Sequence, residues 1–233
     1  MSRGLGDVYK RQHYREAIEK SVANSIIYDY VNSAVTRHCP TNIGVVDMKT
    51  LDAALKYREG KTCALNFASF KNPGGGFLNG ANAQEEYLCQ NSTLYNVLSK
   101  FTKYYEQNRS NTNDSLYWNR AIYSPGIITL PSEVPVDVLS CSAPNVRASY
   151  ATDKQKQKAL IGRVKFVLDV LEEEKCDTII LGAFGCGVFG NNPRLVAETF
   201  KRQRVLQRGF KKVIFAVPNE LSVNHRAFKE VIN

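Results

Sequence analysis

Apolar residues recur at helical spacing in several separate segments of the chain. One example is the series Ile18, Val22, Ile26 and Tyr30, which recurs every four residues and predicts an amphipathic helix. Another is the apolar stripe along residues 152–174. The predicted helices cover, approximately, residues 14–36, 50–56, 91–104, 152–174 and 226–231, and a further helix begins at Pro193.

Short apolar runs without this spacing lie between the predicted helices. Runs of this kind, bounded by Gly, Pro or Asn, are typical of buried strands. The predicted strands cover residues 43–46, 62–67, 120–123 with 127–130, 137–141, 178–181 and 213–217. Because strands and helices alternate, the pattern predicts an α/β fold with a mostly parallel sheet. Two glycine-rich loops directly follow predicted strands, at the sheet edge where such folds bind ligands.

The length of 233 residues suits one domain with a full hydrophobic core. We assign this single domain to residues 14–233. Residues 1–13 show no periodic apolar pattern. We therefore expect this segment to be a disordered tail or an artefact of sequence assembly.

The sequence also indicates where the protein works. No apolar run has the length of a membrane span, and no secretory signal is visible. The six cysteines lack the CxxC spacing of zinc sites. These observations predict a cytoplasmic, intracellular protein with reduced cysteines and no membrane attachment. We expect a monomer that needs neither a metal ion nor another cofactor.

The formal net charge is +9, and much of it is local. Between Arg194 and Lys212 the chain has seven Lys or Arg residues and one acid, Glu198. A basic surface favours polyanions, which include nucleic acid. The alternative interpretation is the solvated face of a helix. No aromatic pattern or motif adds to the charge as a sign of nucleic-acid binding.

A triple glycine followed by two adjacent glutamates is the most informative motif of the chain. Gly74, Gly75 and Gly76 let the backbone pass close to a ligand, because no side chain stands in the way. Glu85 and Glu86 follow, and neighbouring carboxylates repel each other, so one of them can have a raised pKa and hold a proton. The motif predicts a site that binds a bulky polar ligand and protonates a leaving group. The alternative is a solvated first helical turn, where the helix dipole favours acids.

A second glycine-rich loop, residues 182–190, lies between a predicted strand and Pro193. Its backbone N–H groups and the following helix N-terminus can hold a diphosphate. It lacks the GK[ST] sequence of ATP-hydrolysing loops and the spacing of dinucleotide-binding loops. The alternative is a tight turn at a sheet edge. Cys186 has no histidine in its sequence context, so we interpret it as a small space-filling residue.

Several motifs together resemble the microbial-type poly(ADP-ribose) glycohydrolases. They are the GGG and QEE motifs between residues 74 and 86, the flanking segments 66–73 and 91–95, the segment 142–145 and the loop 181–191. The resemblance covers roughly residues 40–230. It implies a macrodomain-like three-layer α/β sandwich, with a mixed, mostly parallel sheet and helices on both faces. It also implies a hydrolase that cleaves ribose–ribose O-glycosidic bonds of poly(ADP-ribose) and releases ADP-ribose.

The resemblance further implies roles for individual residues. Glu86 is expected to act as the general acid and then as the general base, while Glu85 holds ribose hydroxyls and keeps the pKa of Glu86 high. Gln84 is expected to orient the loop or to bind the ribose. Phe189 is expected to stack on the adenine or the ribose, with ordinary core packing as the alternative. The expected substrate-binding residues are Asn72, Gly74, Gly75, Gly76, Gln84, Gly185, Cys186, Gly187, Val188, Phe189 and Gly190.

Two other functions remain open at the level of the sequence. One is an enzyme that removes mono-ADP-ribose from protein or nucleic acid. The other is a macrodomain that binds ADP-ribose without cleaving it, although such a module has no need for the adjacent acids. In each case the expected partner is poly(ADP-ribose) or an ADP-ribosylated protein.

Overall fold

The computed structural model describes residues 3–31, 41–203, 205 and 208–233. Its α-helices are α1 (Arg3–His13), α2 (Arg15–Asn24), α3 (Thr50–Tyr57), α4 (Gln84–Gln90), α5 (Leu94–Leu98), α6 (Thr102–Ser110), α7 (Asp153–Glu173), α8 (Pro193–Arg202) and α9 (Val223–Ile232). Its strands are β1 (Ile26–Tyr28), β2 (Asn42–Val46), β3 (Thr62–Phe67), β4 (Ala121–Ile128), β5 (Pro135–Cys141), β6 (Thr178–Leu181) and β7 (Lys212–Ala216).

Within the described residues, seven strands form one mixed sheet in the order β1-β4-β5-β3-β6-β7-β2. Strand β3 pairs in parallel with β5 and β6, and β7 pairs in parallel with β6 and β2. Strands β1 and β4 form the antiparallel edge. The predicted, mostly parallel sheet is therefore confirmed. Because the five parallel strands run the same way, their C-terminal ends meet at one edge of the sheet.

Side chains of the central strands alternate between the two faces of the sheet. On β3, Cys63 and Leu65 pack in a core that includes helices α7, α8 and α9. Ala64 faces the other way and packs with Ala53 and Ala54 of α3. A further apolar cluster joins α2, α4 and α5 to β4. Helices therefore cover both faces, as expected for the three-layer sandwich.

The helix predicted over residues 14–36 is wrong beyond Asn24. Helix α2 ends there, Ser25 has extended backbone angles, and β1 begins at Ile26 and pairs antiparallel with β4. Two isoleucines and a tyrosine in succession favour a strand once a partner strand lies beside them. Spacing alone did not show that partner. The predicted segment 32–36 lies outside the described residues.

Two other segments differ from the sequence prediction. The helix predicted over residues 91–104 consists of α5 and α6, which the non-helical backbone of Phe101 separates. Helix α4 precedes them, where a helix was considered only as an alternative for the glutamate pair. The strand predicted over residues 120–123 with 127–130, with an interruption at residues 124–126, is the continuous strand β4, in which the pairing register shifts between Ser124 and Ile127.

The expectation of a disordered tail is wrong from Arg3 onward, because residues 3–13 form helix α1. Two polar side chains of this helix, Asp7 and Lys10, are buried. The Lys10 ammonium group donates hydrogen bonds to backbone carbonyl oxygens at the end of α4, including that of Cys89 (2.7 Å). Polar anchoring of this kind leaves no apolar periodicity in the sequence. The alternative that the segment is an assembly artefact stays a prediction.

Two further features concern membrane-spanning helices and the state of the cysteines. No helix in the described ranges combines the length and the apolar character needed to cross a bilayer. The cysteines that the structure describes are free thiols, namely Cys63, Cys89, Cys141, Cys176 and Cys186. The cytoplasmic location stays a prediction.

Candidate active site

A cavity of about 640 Å³ opens at the sheet edge where the parallel strands end. Loops from neighbouring strands converge at this edge, which is why parallel α/β sheets bind ligands there. The lining residues are Lys49, Thr50, Phe67, Ser69, Gly75, Asn82, Ala83, Gln84, Glu85, Glu86, Tyr87, Ala143, Ala183, Gly185, Gly187, Val188, Phe189, Ala216, Val217, Pro218, Asn219, Ser222 and Asn224. They belong to the last residues of β3 and β7, to the loops after β2, β3, β5, β6 and β7, and to the starts of α3, α4 and α9.

The side-chain amide of Gln84 attaches the start of α4 to the end of β3. Its oxygen accepts a hydrogen bond from the Phe67 N–H (2.8 Å). Its NH₂ group donates to the Leu65 carbonyl oxygen (2.8 Å) and to the Thr50 hydroxyl (3.1 Å). All these contacts are made within the protein. Of the two roles expected for Gln84, the geometry therefore favours orientation of the loop.

Glu85 lies at the cavity wall but is only 3% exposed. Its Oε2 accepts a hydrogen bond from the Ser69 N–H (2.7 Å), and its Oε1 accepts one from Asn66 Nδ2 (3.3 Å). Burial is the main reason that the pKa of Glu85 rises to about 8, and the neighbouring Glu86 charge adds to the rise against these hydrogen bonds. Glu85 therefore holds a proton at neutral pH.

Glu86 is held by two backbone N–H groups. Its Oε1 accepts a hydrogen bond from Gly76 (2.9 Å), and its Oε2 accepts one from Ala83 (3.1 Å). The first bond ties the carboxyl group to the triple glycine, and the second satisfies an N–H group at the start of α4. The residue is 7% exposed and lines the cavity. Its carboxyl group therefore has a fixed orientation at the cavity wall.

The triple glycine brings the backbone against both carboxyl groups. Gly75 has a φ of +59°, and a Cβ there would lie 2.6 Å from Glu86 Oε1 and 3.0 Å from Glu85 Oε2. Both the left-handed conformation and these contacts exclude a side chain. The two carboxyl groups consequently reach the same glycine, although each has its own hydrogen-bond partners.

The loop between β6 and α8 presents backbone N–H groups at the cavity. Among the hydrogen bonds of the described part of the chain, none uses the N–H groups of Gly187, Val188 or Phe189 as donors. A Cβ at Gly187 would meet no atom within 4 Å, so the missing side chain leaves open space. The Asn192 side chain caps α8 by accepting hydrogen bonds from two of its backbone N–H groups. The loop itself, rather than the helix N-terminus, therefore offers the free donors.

Two other loop residues have different positions. Phe189 lines the cavity, is half-buried and meets the Tyr117 ring edge-on at 5.9 Å between centroids. It contacts the protein on one side and the cavity on the other. Cys186 does not line the cavity, and burial raises the pKa of its thiol to about 12. A thiol that stays protonated fits the space-filling interpretation.

The structure brings most of the predicted site residues to this cavity. Those that line it are Gly75, Gln84, Glu85, Glu86, Gly185, Gly187, Val188 and Phe189. Those that do not line it are Asn72, Gly74, Gly76, Cys186 and Gly190. Three of the residues that do not line the cavity make hydrogen bonds with residues that do. Gly76 donates its N–H to Glu86, the Asn72 carbonyl oxygen accepts from Gly75, and Gly190 donates to the Gly187 carbonyl oxygen.

Sequence reasoning missed one wall of the cavity, formed after β2 and after β7. Its residues include Lys49, Val217 and Asn219. None of them belongs to a motif with a recognisable spacing. The available signal was their position just after two predicted strands, because such strand ends converge on one edge of the sheet.

The described ranges contain no cluster of three or more His, Cys, Asp or Glu side chains that could hold a metal ion. The buried His225 contacts the Val217 carbonyl oxygen through Nδ1 (2.7 Å), which is a contact within the protein. The expected absence of a metal ion and of other cofactors stays a prediction.

Comparison with protein-family models finds a match in the first half of the chain. A family model described as "Microbial-type PARG, catalytic domain" matches residues 6–131. The match includes the triple glycine and both glutamates, and it ends before the loop between β6 and α8. None of the curated proteins matches the chain.

Solved structures are similar over nearly the whole chain. The poly(ADP-ribose) glycohydrolase (PARG) from Thermomonospora curvata has 30% sequence identity and a TM-score of 0.88, with 98% of both chains covered. The enzyme of that organism bound to the inhibitor ADP-HPD has 30% identity, a TM-score of 0.85 and the same 98% coverage of both chains. The PARG from Deinococcus radiodurans in complex with ADP-ribose has 33% identity and a TM-score of 0.76, covering 96% of this chain and 91% of that chain.

Proposed function

The chain belongs to the microbial-type poly(ADP-ribose) glycohydrolases, hydrolases that cleave ribose–ribose O-glycosidic bonds and release ADP-ribose, and we propose that Glu86 carries out the acid–base chemistry. One observation carries this proposal. Two buried carboxyl groups meet the same backbone glycine, Gly75, in a cavity that also presents free N–H groups. The carboxyl groups suit a sugar and its leaving group, and the N–H groups suit a diphosphate.

We place one ADP-ribose unit across the cavity. The diphosphate accepts hydrogen bonds from the N–H groups of Gly187, Val188 and Phe189, where the space beside Gly187 admits an anion. The ribose that carries the scissile bond lies against Gly75, within reach of Glu85 and Glu86. Phe189 has one side open to the cavity and can stack there on the adenine or the ribose.

In the first step, the bond between the ribose C1 atom and the leaving ribose oxygen breaks. The oxygen takes a proton from the Glu86 carboxyl group, and the ribose passes through an oxocarbenium-like state. Glu86, now a carboxylate, then removes a proton from the water that attacks C1. This returns Glu86 to its starting state and releases ADP-ribose.

The geometry also argues against a mechanism with two opposed carboxylates. Enzymes of that type hold their carboxyl groups on opposite sides of the sugar bond. Here both groups extend from adjacent residues to the same side of Gly75. Glu85 with its proton can instead donate a hydrogen bond to a ribose hydroxyl, and it places no second negative charge beside the Glu86 carboxylate that the first step forms.

Neither alternative function has an observation in its favour. A macrodomain that only binds ADP-ribose gains nothing from burying two adjacent carboxyl groups, because each loses its hydration. Removal of mono-ADP-ribose would use the same acid and the same loop. A comparison of turnover on poly(ADP-ribose) and on mono-ADP-ribosylated substrates therefore decides between the two enzymes.

The experiment that tests the proposal compares purified wild-type protein, Glu86→Gln and Glu106→Gln on labelled poly(ADP-ribose), with products separated by chromatography. We expect wild type and Glu106→Gln, whose exposed carboxyl group lies on α6, to release ADP-ribose at equal rates. Glu86→Gln should bind ADP-ribose but lose at least about 100-fold in turnover, the usual contribution of a positioned general acid.

Other outcomes have separate meanings. If wild type and Glu86→Gln both bind ADP-ribose and neither releases it from the polymer, the polymer-cleaving function is wrong, and a binding module or a mono-ADP-ribosyl substrate is favoured. If Glu86→Gln loses both binding and turnover, the assignment of Glu86 as the acid is unsupported.

The finer statements about partners and location also belong to the proposal. We propose that the protein binds poly(ADP-ribose) or ADP-ribosylated protein as a monomer inside the cell, which light scattering and cell fractionation test. Nucleic-acid binding has weaker support, because several cations of the basic run are paired with acids. Arg208 contacts Asp169 (2.6 Å), and Lys212 contacts Glu59 (2.6 Å).

A further inference from the structure

Three aromatic rings connect the two ligand loops through the interior of the protein. Phe70 lies just before the triple glycine and is 2% exposed. The Tyr117 ring stacks on it with 4.4 Å between centroids and 12° between planes. The Tyr117 ring also meets Phe189, which lines the cavity, with 5.9 Å between centroids and 61° between planes. Tyr117 is therefore the one ring that touches both of the other two.

The backbone that carries Tyr117 is held in an unusual conformation. Asn113, Asp114, Ser115 and Tyr117 have φ values of 47°, 49°, 61° and 60°, in the left-handed region. Side-chain-bearing residues adopt this region at a cost, and a run of them persists only where surrounding contacts enforce it. We call residues 108–119 the bracing segment.

Contacts with all three neighbouring loops hold the bracing segment in place. Towards the triple glycine, Asn108 Nδ2 donates to the Phe70 carbonyl oxygen (2.8 Å). Towards the loop after β5, the Asp114 carboxylate accepts from the Ser149 hydroxyl (2.8 Å). Towards the loop after β6, Tyr117 packs against Phe189. The bracing segment thus contacts the loops after β3, β5 and β6.

A buried arginine fixes the same segment to helix α7. Arg163 is 1% exposed, and its guanidinium group donates to the Asn119 side-chain oxygen (2.8 Å) and to the Leu116 carbonyl oxygen (3.3 Å). It also donates to the Ser142 carbonyl oxygen at the end of β5. The turn that carries Tyr117 is consequently anchored to the longest helix that the structure describes.

We propose that Tyr117 is a positioning residue for the reaction: it fixes Phe189, and with it the loop between β6 and α8, at the distance from the triple glycine that one ADP-ribose unit requires. The inference rests on the proposed function, because it takes both loops to hold the same ligand. Tyr117 itself is 7% exposed and does not line the cavity, so it acts through Phe189.

The test measures ADP-ribose affinity by calorimetry and polymer turnover for Tyr117→Leu and Tyr117→Phe. The leucine removes both ring contacts, whereas the phenylalanine keeps the rings and loses the hydroxyl contact with Asn145. We expect Tyr117→Leu to bind ADP-ribose about three- to tenfold more weakly, the usual worth of an aromatic pair. Its KM should rise with kcat little changed, and Tyr117→Phe should restore wild-type affinity.

A double-mutant cycle shows whether Tyr117 acts through Phe189. If it does, the affinity loss of Tyr117→Leu with Phe189→Leu is smaller than the product of the two single losses. Phe200→Leu is the matched control, because Phe200 is fully buried and packs on Phe215, away from the cavity. It should lower the unfolding temperature without weakening ADP-ribose binding.

The outcomes separate the inference from the proposed function. If Tyr117→Leu and Phe200→Leu lose stability alike and both keep wild-type affinity, or if the effects of Tyr117→Leu and Phe189→Leu are independent, Tyr117 has no positioning role. Should Tyr117→Leu not fold, the affinity of Tyr117→Met, which removes the same two ring contacts but fills more of the space, takes its place, with the same weakening expected. Wild-type protein that binds ADP-ribose but cleaves no polymer overturns the proposed function alone.

Discussion

At the scale of single residues, the proposed active site contains two glutamates that are adjacent in sequence but differ in surroundings. Glu85 accepts hydrogen bonds from Ser69 and Asn66 in the interior, while Glu86 accepts them from Gly76 and Ala83 at the cavity wall. The sequence could predict that one of the pair holds a proton, because adjacent carboxylates repel each other. It could not predict that Glu85 has the raised pKa, since burial is the main cause and depends on the folded chain.

The raised pKa of Glu85 makes stability depend on pH. Its pKa of about 8 lies above the ordinary value of 4.5, so the folded protein binds this proton more tightly than the unfolded chain. The resulting stabilisation is fully present below about pH 4.5 and is lost as the pH rises through about 8. Glu85→Gln has no proton to lose, so between about pH 5 and pH 8 its free energy of unfolding should fall less than that of wild type, by a few kcal/mol.

Urea unfolding of wild type, Glu85→Gln and Glu106→Gln at both pH values checks this prediction. Glu106→Gln should follow wild type, because that carboxyl group is exposed. Parallel behaviour of Glu85→Gln and wild type would mean that the Glu85 pKa is ordinary.

Substitution by alanine should affect two glycines of the loop between β6 and α8 differently, since it should lower ligand affinity at one and protein stability at the other. A Cβ at Gly187 meets no atom within 4 Å, so Gly187→Ala should change stability by less than about 0.5 kcal/mol. It should still weaken ADP-ribose binding about tenfold, because the methyl group occupies space assigned to the ligand. Calorimetry and thermal unfolding measure the two effects, and unchanged affinity would remove Gly187 from the binding site.

Gly185 is the matched comparison within the same loop. It has a φ of +72°, and a Cβ there would lie 2.5 Å from Ala143 Cβ and 2.6 Å from Asn191 Nδ2. Gly185→Ala should therefore lower the free energy of unfolding by about 2 kcal/mol or more. Equal stability of the two alanine variants would contradict this account of the loop.

At the scale of elements, helix α4 positions both glutamates and is itself positioned by Gln84. The pattern of apolar residues was sufficient to predict β3, β5, β6, β7 and α7 within a few residues. The four strands are short, mostly apolar runs, and α7 is a long helix with an apolar stripe. The pattern failed at the end of α2 and at β1, where Ile26 belongs to a strand that only a neighbouring strand stabilises. It also failed at α4, which is short and whose first turn is polar, so that its anchoring cannot be seen in spacing.

Loss of the Gln84 amide should loosen α4. Gln84→Met keeps a side chain of similar length but removes three hydrogen bonds and leaves the Phe67 N–H without its partner. We expect a loss of about 2–4 kcal/mol in the free energy of unfolding, together with lower turnover. Thr50→Val removes one of the three bonds and should cost about 1 kcal/mol, as urea unfolding would measure. Equal losses for both variants would show that Gln84 does not attach α4 to β3.

At the scale of the whole molecule, the charge of +9 attracts a polyanion before any specific contact forms. Salt weakens such attraction, and it does so more for a long polyanion than for a single unit. Between about 50 mM and 300 mM NaCl we expect KM for poly(ADP-ribose) to rise several-fold while the affinity for single ADP-ribose changes less. Initial rates and calorimetry test this, and equal salt dependence of the two would contradict it.

The sequence predicted the part of the site that lies in motifs, namely the triple glycine, the glutamates and the loop between β6 and α8. It could not predict contacts between residues far apart in the chain. Tyr117 lies between the helix predicted over residues 91–104 and the strand predicted from residue 120, yet its ring contacts both Phe70 and Phe189. Lys49 lines the cavity for the same reason, since sheet order rather than sequence places β2 near the other strand ends.

The sheet order also limits which halves of related proteins can be recombined into one chain. Strand β3, which leads into the triple glycine, lies between β5 and β6, and both of these come from later in the chain. A fragment that stops at residue 131, where the family match ends, would keep both glutamates but leave both edges of β3 without partners. Genetic recombination at this point would join an N-terminal half that carries the two glutamates to strands β5 and β6 of another origin. These strands would then have to pair with β3 along both of its edges. The half of the chain that carries the two glutamates and the half that carries the loop between β6 and α8 therefore have to stay compatible along both edges of β3.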